Sequence, residues 1–137
     1  VDTLGNGLPC ATFPAATVAT RGVVHHFEVR FDAGSVPAFA VRTTSGVRAY
    51  INACPHFGVR LDARGEGVFD ARRRHLVCGT HGALFRPQDG RCTQGPCLGD
   101  QLDALQVVEL FGACQVFVPN ALAAALRERL RVTPPGG

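Results

Sequence analysis

Six cysteines and five histidines are the side chains of this chain best suited to metal or redox chemistry. Four of them fall in two short, similar stretches, Cys54-Pro55-His56-Phe57-Gly58 and Cys78-Gly79-Thr80-His81-Gly82. Each stretch offers one thiol and one imidazole, with the cysteine first. Two thiolates and two imidazoles form a four-ligand set for a soft or borderline metal centre. A zinc finger usually pairs like with like, a C-x₂₋₄-C followed by an H-x₃₋₅-H. Here each loop is mixed, C-x-H and then C-x-x-H. That pattern suits a [2Fe–2S] cluster in which one iron takes Cys54 and Cys78 and the other takes His56 and His81. A structural zinc ion at the same four residues is the competing chemistry, and colour separates the two.

The ligand types set the redox behaviour. Two ferric ions, two sulfides and two thiolates cancel formally, so with neutral imidazoles the oxidised centre is about neutral. Four thiolates would leave it about two charges negative. An electron enters a neutral site more easily than an anion, which lifts the potential from about −400 mV to roughly −150 to +300 mV. The electron should settle on the histidine-bound iron, and the second ring nitrogen of His56 or His81 then offers a short exit or a proton site.

With C-x-H-x-G, C-x-x-H-G and the downstream Gly95-Pro96 in place, the chain resembles the soluble Rieske-type ferredoxins over roughly Ala38 to Val118. The resemblance implies an all-β fold, a Rieske antiparallel sandwich carrying a small cluster-binding subdomain, and one Rieske [2Fe–2S] cluster per chain. It also implies a one-electron carrier between a reductase and an oxygenase or other oxidoreductase, a dioxygenase component without independent enzyme activity. Gly95-Pro96 matches the family's proline loop, which lies over the cluster. Around the ligands, Pro55 stiffens the first loop. Gly58, Gly79 and Gly82 permit close backbone approach, so that N–H groups can point at sulfur and tune the potential.

Two departures from the high-potential Rieske subunits of cytochrome bc complexes bear on the potential. Those relatives donate Ser and Tyr hydroxyls to the cluster where this chain has Ala83 and Phe85. They also tie the two loops by a disulfide where this chain has Val59 and Thr80. A ferredoxin-type centre in the lower part of the range is therefore expected. The alternative place for such a chain is as an accessory subunit fixed in a larger oxidoreductase; the small subunits of nitrite reductases share the fold but commonly lack the ligands.

The elements that must position the loops can be read along the chain. Residues 1–21 are rich in Gly, Pro, Ala and Thr without period and read as an arm. Phe27, Val29 and Phe31 alternate with Glu28 and Arg30, a half-buried strand on which His25 and His26 point to opposite faces. Ala38–Thr43 and Val47–Asn52 read as a hairpin that delivers Cys54 and His56 from a strand end. Val68-Phe69 and His75-Leu76-Val77 read as short strands, the second leading into Cys78. The spacer from Phe57 to Val77 is long for the resemblance, and the extra length is placed at the Asp70–Arg74 turn. Leu84 and Phe85 resume a strand, and residues 107–110 and 114–118 close a hairpin. Asn120 caps a helix, 121–131, striped by Leu122, Leu126 and Leu130, with arginines at its negative end. It packs on the sandwich or serves as a homo-oligomer contact. The domains so drawn are 1–21, an arm; 22–119, the Rieske domain with its cluster-binding part at about 53–97; and 120–137, helix and tail.

Composition excludes other classes. The net charge of +3 rests on arginines alone and shows no basic stripe interleaved with aromatics, which argues against nucleic acid. Arg72-Arg73-Arg74 is the one basic run, read as a solvated turn or a dock for an acidic partner. No apolar run approaches the roughly 18 residues of a membrane span. The chain opens on Val1, so an earlier leader or anchor stays open. The irregular spacing of the cysteines requires no disulfide framework and points to a reducing, cytoplasmic compartment. Cys10, Cys92, Cys97 and Cys114 read as small buried hydrophobes, with a bridge or metal site at Cys92 and Cys97 as the alternative. The 2-His-1-carboxylate set of a non-haem oxygenase is not assembled by His25, His26 and His75.

Overall fold

The computed structural model describes residues 7–55, 58–65 and 67–132. Nine strands and one α-helix follow in order: β1 (Gly7–Pro14), β2 (Val24–Phe31), β3 (Gly34–Thr43), β4 (Gly46–Ile51), β5 (Leu76–Val77), β6 (Leu84–Phe85), β7 (Cys92–Gln94), β8 (Ala104–Leu110), β9 (Ala113–Pro119) and α1 (Asn120–Val132). Six form one antiparallel sheet in the order β1-β9-β8-β4-β3-β2, and the remaining three form a small sheet, β5-β6-β7. The fold is all-β apart from α1 and a short 3₁₀ turn at Ala15–Val18. The large sheet curls until its two edges meet through Phe13 of β1, which packs on His25 and Phe27 of β2.

The run Ala38-Phe39-Ala40-Val41 is apolar without a break because β3 is buried on both faces. Ala38 and Ala40 face the core inside the curled sheet with Val29, Ile51, Leu105, Val116 and Leu126. Phe39 and Val41 face a second core with Tyr50, Leu61, Leu76 and Phe85, and that core also contains Cys54 and Cys78. The β3–β4 hairpin pairs Ala40 with Ala49 and Phe39 with Tyr50. It is thus the wall shared by both cores, and the first cysteine loop leaves directly from its end. Tyr50, the sole tyrosine, is fully buried and donates its hydroxyl to the Pro87 carbonyl at 2.6 Å. Tyr50→Phe should cost about 1–3 kcal/mol by leaving that carbonyl unpaired. Urea unfolding of the two forms measures the difference.

Three expectations change. The arm reading fails from Gly7 onward: β1 pairs along β9, and Phe13 and Val18 are buried. The period was hidden by a register shift between Pro9 and Ala11, and the prolines are tolerated because β1 is an edge strand. The strand expected at Val68-Phe69 shrinks to a single bridge from Phe69 to Leu76. A strand absent from the sequence reading, β7, completes the small sheet. The C-terminal helix forms as expected and lies against β9, β1 and β3, with Ala123 and Leu126 buried and Leu122 and Leu130 partly covered.

Candidate metal centre

The two cysteine loops are copies of one backbone device. In the first, the Cys54 N–H donates to the Val59 carbonyl at 2.7 Å, and the Gly58 N–H donates back to the Cys54 carbonyl at 2.7 Å. In the second, the Cys78 N–H donates to Ala83 at 2.9 Å, and the Gly82 N–H donates to Cys78 at 2.7 Å. Partners therefore stand at five and four positions beyond each cysteine. Such a tight reversal needs a left-handed residue at its close, and Gly58 and Gly82 supply it with φ of 72° and 73°. The equivalence explains why the sequence carries glycine four places after each cysteine.

Both cysteines are buried, Cys54 at the end of the hairpin and Cys78 just after β5. Their thiols lie close enough to interact. Burial pushes the free Cys78 thiol up and the neighbouring Cys54 adds to this, while the N–H groups of His81 and Thr80 donate to its sulfur and oppose the rise. Those N–H groups are the sulfur contacts expected of such a loop. The loops are held to each other through the chain between them. The Gly79 N–H donates to Leu61 at 3.0 Å. Asn52, buried, accepts from the Leu61 N–H at 2.8 Å and donates to Asp62 at 3.0 Å. The Asp62 carboxyl is held below its usual range: desolvation opposes this, but hydrogen bonds from Arg60 and Asn52 outweigh it. Sequence reading placed Asn52 only as a strand end. The signal it missed is a buried amide that must find partners for both its donor and its acceptor.

The other expected positions divide as follows. His81 is exposed at the outer end of the second loop. His56 lies outside the described residues. Among the described residues no three His, Cys, Asp or Glu side chains converge as a metal site. The described part of the ligand set is thus the adjoining pair Cys54 and Cys78, with His81 at the surface. Ala83 and Phe85 are fully buried and carry no hydroxyl. The proline loop does lie against the second cysteine loop: a Cβ on Gly95 would stand 2.7 Å from the Ala83 Cα. Pro96 and Pro55 are exposed, while Cys97 turns inward to bring its sulfur 3.8 Å from that of Cys54. All six cysteines are free thiols, so Cys92 and Cys97 form no bridge. His25 is occupied by Phe13 and Phe27, and His75 lies 3.6 Å from the Asp70 carboxylate.

Two buried thiols side by side, that of Cys78 accepting from the N–H groups of its own loop, are chemically matched to the thiolate-bound iron of a [2Fe–2S] cluster. A family model described as "Rieske [2Fe-2S] domain" matches residues 15–115. A search of curated protein sequences gave no match. Among solved structures, the ferredoxin of carbazole 1,9a-dioxygenase from Nocardioides aromaticivorans IC177 is similar at 27% identity and a TM-score of 0.61, covering 82% of this chain and 99% of that one. The terminal oxygenase of carbazole 1,9a-dioxygenase from Novosphingobium sp. KA1 is similar in fold at 20% identity and a TM-score of 0.64, over 85% of this chain and 31% of the oxygenase. The oxygenase from Nocardioides aromaticivorans IC177 gives 20% identity and a TM-score of 0.59 over 83% of this chain and 30% of that one. The chain thus spans about the whole of the ferredoxin and under a third of each oxygenase.

Proposed function

Since the chain belongs to the Rieske [2Fe–2S] family, we propose that Cys54 and Cys78 hold one iron of its cluster and that His56 and His81 hold the other. The cluster supplies a reversible one-electron store, and the protein is a ferredoxin-like electron-transfer component. The observation that carries the ligand assignment is the repeated backbone device around the two cysteines, with their sulfurs adjoining in the second core. The chain's own residues give that store its properties. The loop amides of Thr80 and His81 donate to the Cys78 sulfur and favour the thiolate. Leu61, Leu76 and Phe85 exclude water from the cysteine side. His81 is exposed, so a partner can reach the second loop.

The acceptor class we propose is a terminal oxygenase, with a reductase as donor, by analogy with the dioxygenase ferredoxin of similar extent. No helix among the described residues is long and apolar enough to cross a membrane; the site of action proposed is the cytoplasm, where free thiols persist. A homo-oligomer through α1 would have to use its arginine-rich outer face, because Ala123 and Leu126 are spent on the chain's own core. A second reading, the cluster domain of a longer oxygenase, draws on the fold shared with the two oxygenases; iron beyond two atoms per chain in the native protein would favour it.

With Ala83 and Phe85 unable to donate to the cluster, the midpoint potential is expected below about +150 mV. Spectroelectrochemical titration of purified protein decides this, and a higher value defeats the ferredoxin-type assignment. Ala83→Ser with Phe85→Tyr should move the potential upward.

A further inference from the structure

Two cavities adjoin at Phe69 and Arg73, and the first of them reaches the second cysteine loop. The first, about 630 Å³, is lined by Cys78, Gly79 and Gly82 and extends to Arg73. The second, about 570 Å³, shares Arg73 and Phe69 with it and is bounded by Arg21, Arg42, Arg72 and Arg74. Among the described residues, no carboxylate lines the second groove. The cations are brought together by structure rather than by sequence alone. The Arg72–Arg74 run belongs to the turn that the Asp70 carboxylate organises by accepting the N–H groups of Arg74 and His75 at 2.9 and 3.2 Å. Arg73 sits in the left-handed region, φ 56°, and its stem lies where a Cβ on Gly22 would meet Cδ at 2.7 Å. That contact sets the turn against Gly22, the neighbour of Arg21. Arg42 is held by the Val18 carbonyl at 3.0 Å and Glu109 at 3.3 Å. Among the described residues, the side chains of Arg21, Arg72, Arg73 and Arg74 make no ion pair.

We propose that this groove docks an acidic segment of the protein redox partner; the assignment rests on the carrier reading above. Guanidinium groups grip carboxylates through paired hydrogen bonds, and a single-sign field steers encounter. The groove is open and broad, with its cations spread over three segments. That suits several carboxylates along a chain better than one compact phosphate, and the adjoining cavity leads to the electron store. The probe is a labelled hexaglutamate peptide, titrated by anisotropy onto the cluster-loaded protein. Binding should weaken at least about tenfold in Arg72→Glu/Arg74→Glu and between about 20 and 300 mM salt. Arg21→Gln, on a different segment from the turn, should weaken it less but measurably. Unchanged binding in these variants overturns the proposal, as does pyrophosphate binding tighter than the peptide and competing with it. Reduction by dithionite and reoxidation by air are read on the same samples. Their failure would indict the carrier reading, whereas lost peptide binding with intact redox cycling supports the groove.

A separate observation assigns a role to Cys97. Its sulfur is buried, 3.8 Å from Cys54. Cys92 beside it sends its own thiol hydrogen to the Gln94 carbonyl at 3.3 Å. With Cys54 bound to iron as a thiolate, only Cys97 retains a proton for the pair. We infer that Cys97 donates S–H···S to the Cys54 ligand and so raises the potential, a task the absent hydroxyls at positions 83 and 85 cannot perform. Cys97→Ala should lower the midpoint potential with the visible spectrum retained, and Cys97→Ser should restore or exceed it. Equal potentials in all three proteins overturn the inference, as does an intact mass showing a Cys92–Cys97 bridge in the native protein.

Discussion

Cys78→Ala is expected to purify without visible colour, its iron content reduced at least about tenfold. Cys78 is buried at the centre of the second core, and its sulfur sits beside that of Cys54. A methyl group there leaves the loop's backbone bonds intact but removes half of the thiolate pair. The loss extends to folding, because free energy of metal binding is free energy of folding when the site exists only in the folded state. The small sheet has little to replace it. Its strands β5 and β6 are two residues each and β7 is three, too short to stand without a packed face. The variant should therefore lose the second core first. Limited proteolysis should cut between residues 55 and 103 while fragments of the large sheet persist. Cys114→Ala is the control: Cys114 is equally buried, but it lies in the core inside the curled sheet, so colour and iron should stay. A colourless Cys114→Ala, or a coloured Cys78→Ala, would detach the cluster from the second loop.

The loops were legible in the sequence because their geometry is local. A cysteine followed four places later by glycine is all the reversal needs, and it appears twice. The β3–β4 hairpin was legible for a similar reason, its apolar residues being dense enough to mark a strand. What stayed hidden depended on partners distant in the chain. β1 is a strand only because β9 accepts it, and its bulge erases the alternation that would reveal it. β7 is three residues whose pairing with β6 nothing local announces. Cys97 meets Cys54 across forty-three positions, a contact made by the proline loop folding over Ala83 and not by any spacing. The arginine groove illustrates the same limit: the run at 72–74 was visible, but Arg21 and Arg42 join it only when the arm proves to be structured and Gly22 receives the stem of Arg73.

His81→Cys is expected to keep a cluster and to lower its midpoint potential by roughly 100–300 mV, a fraction of the gap between mixed and all-cysteine ligation. The second loop should survive the change, since its closing bonds run between backbone groups of Cys78, Gly82 and Ala83 and use no side chain at position 81. What changes is charge. A thiolate adds one negative charge where a neutral imidazole stood, directly on the iron that takes the electron. Exposure of this position limits the effect, because solvent screens a surface charge more than a buried one; the shift should fall in the lower half of the range. Spectroelectrochemical titration of the two proteins measures the shift. An unmoved potential in a coloured variant would remove His81 from the ligand set, and the electron's exit would then have to be sought on another face.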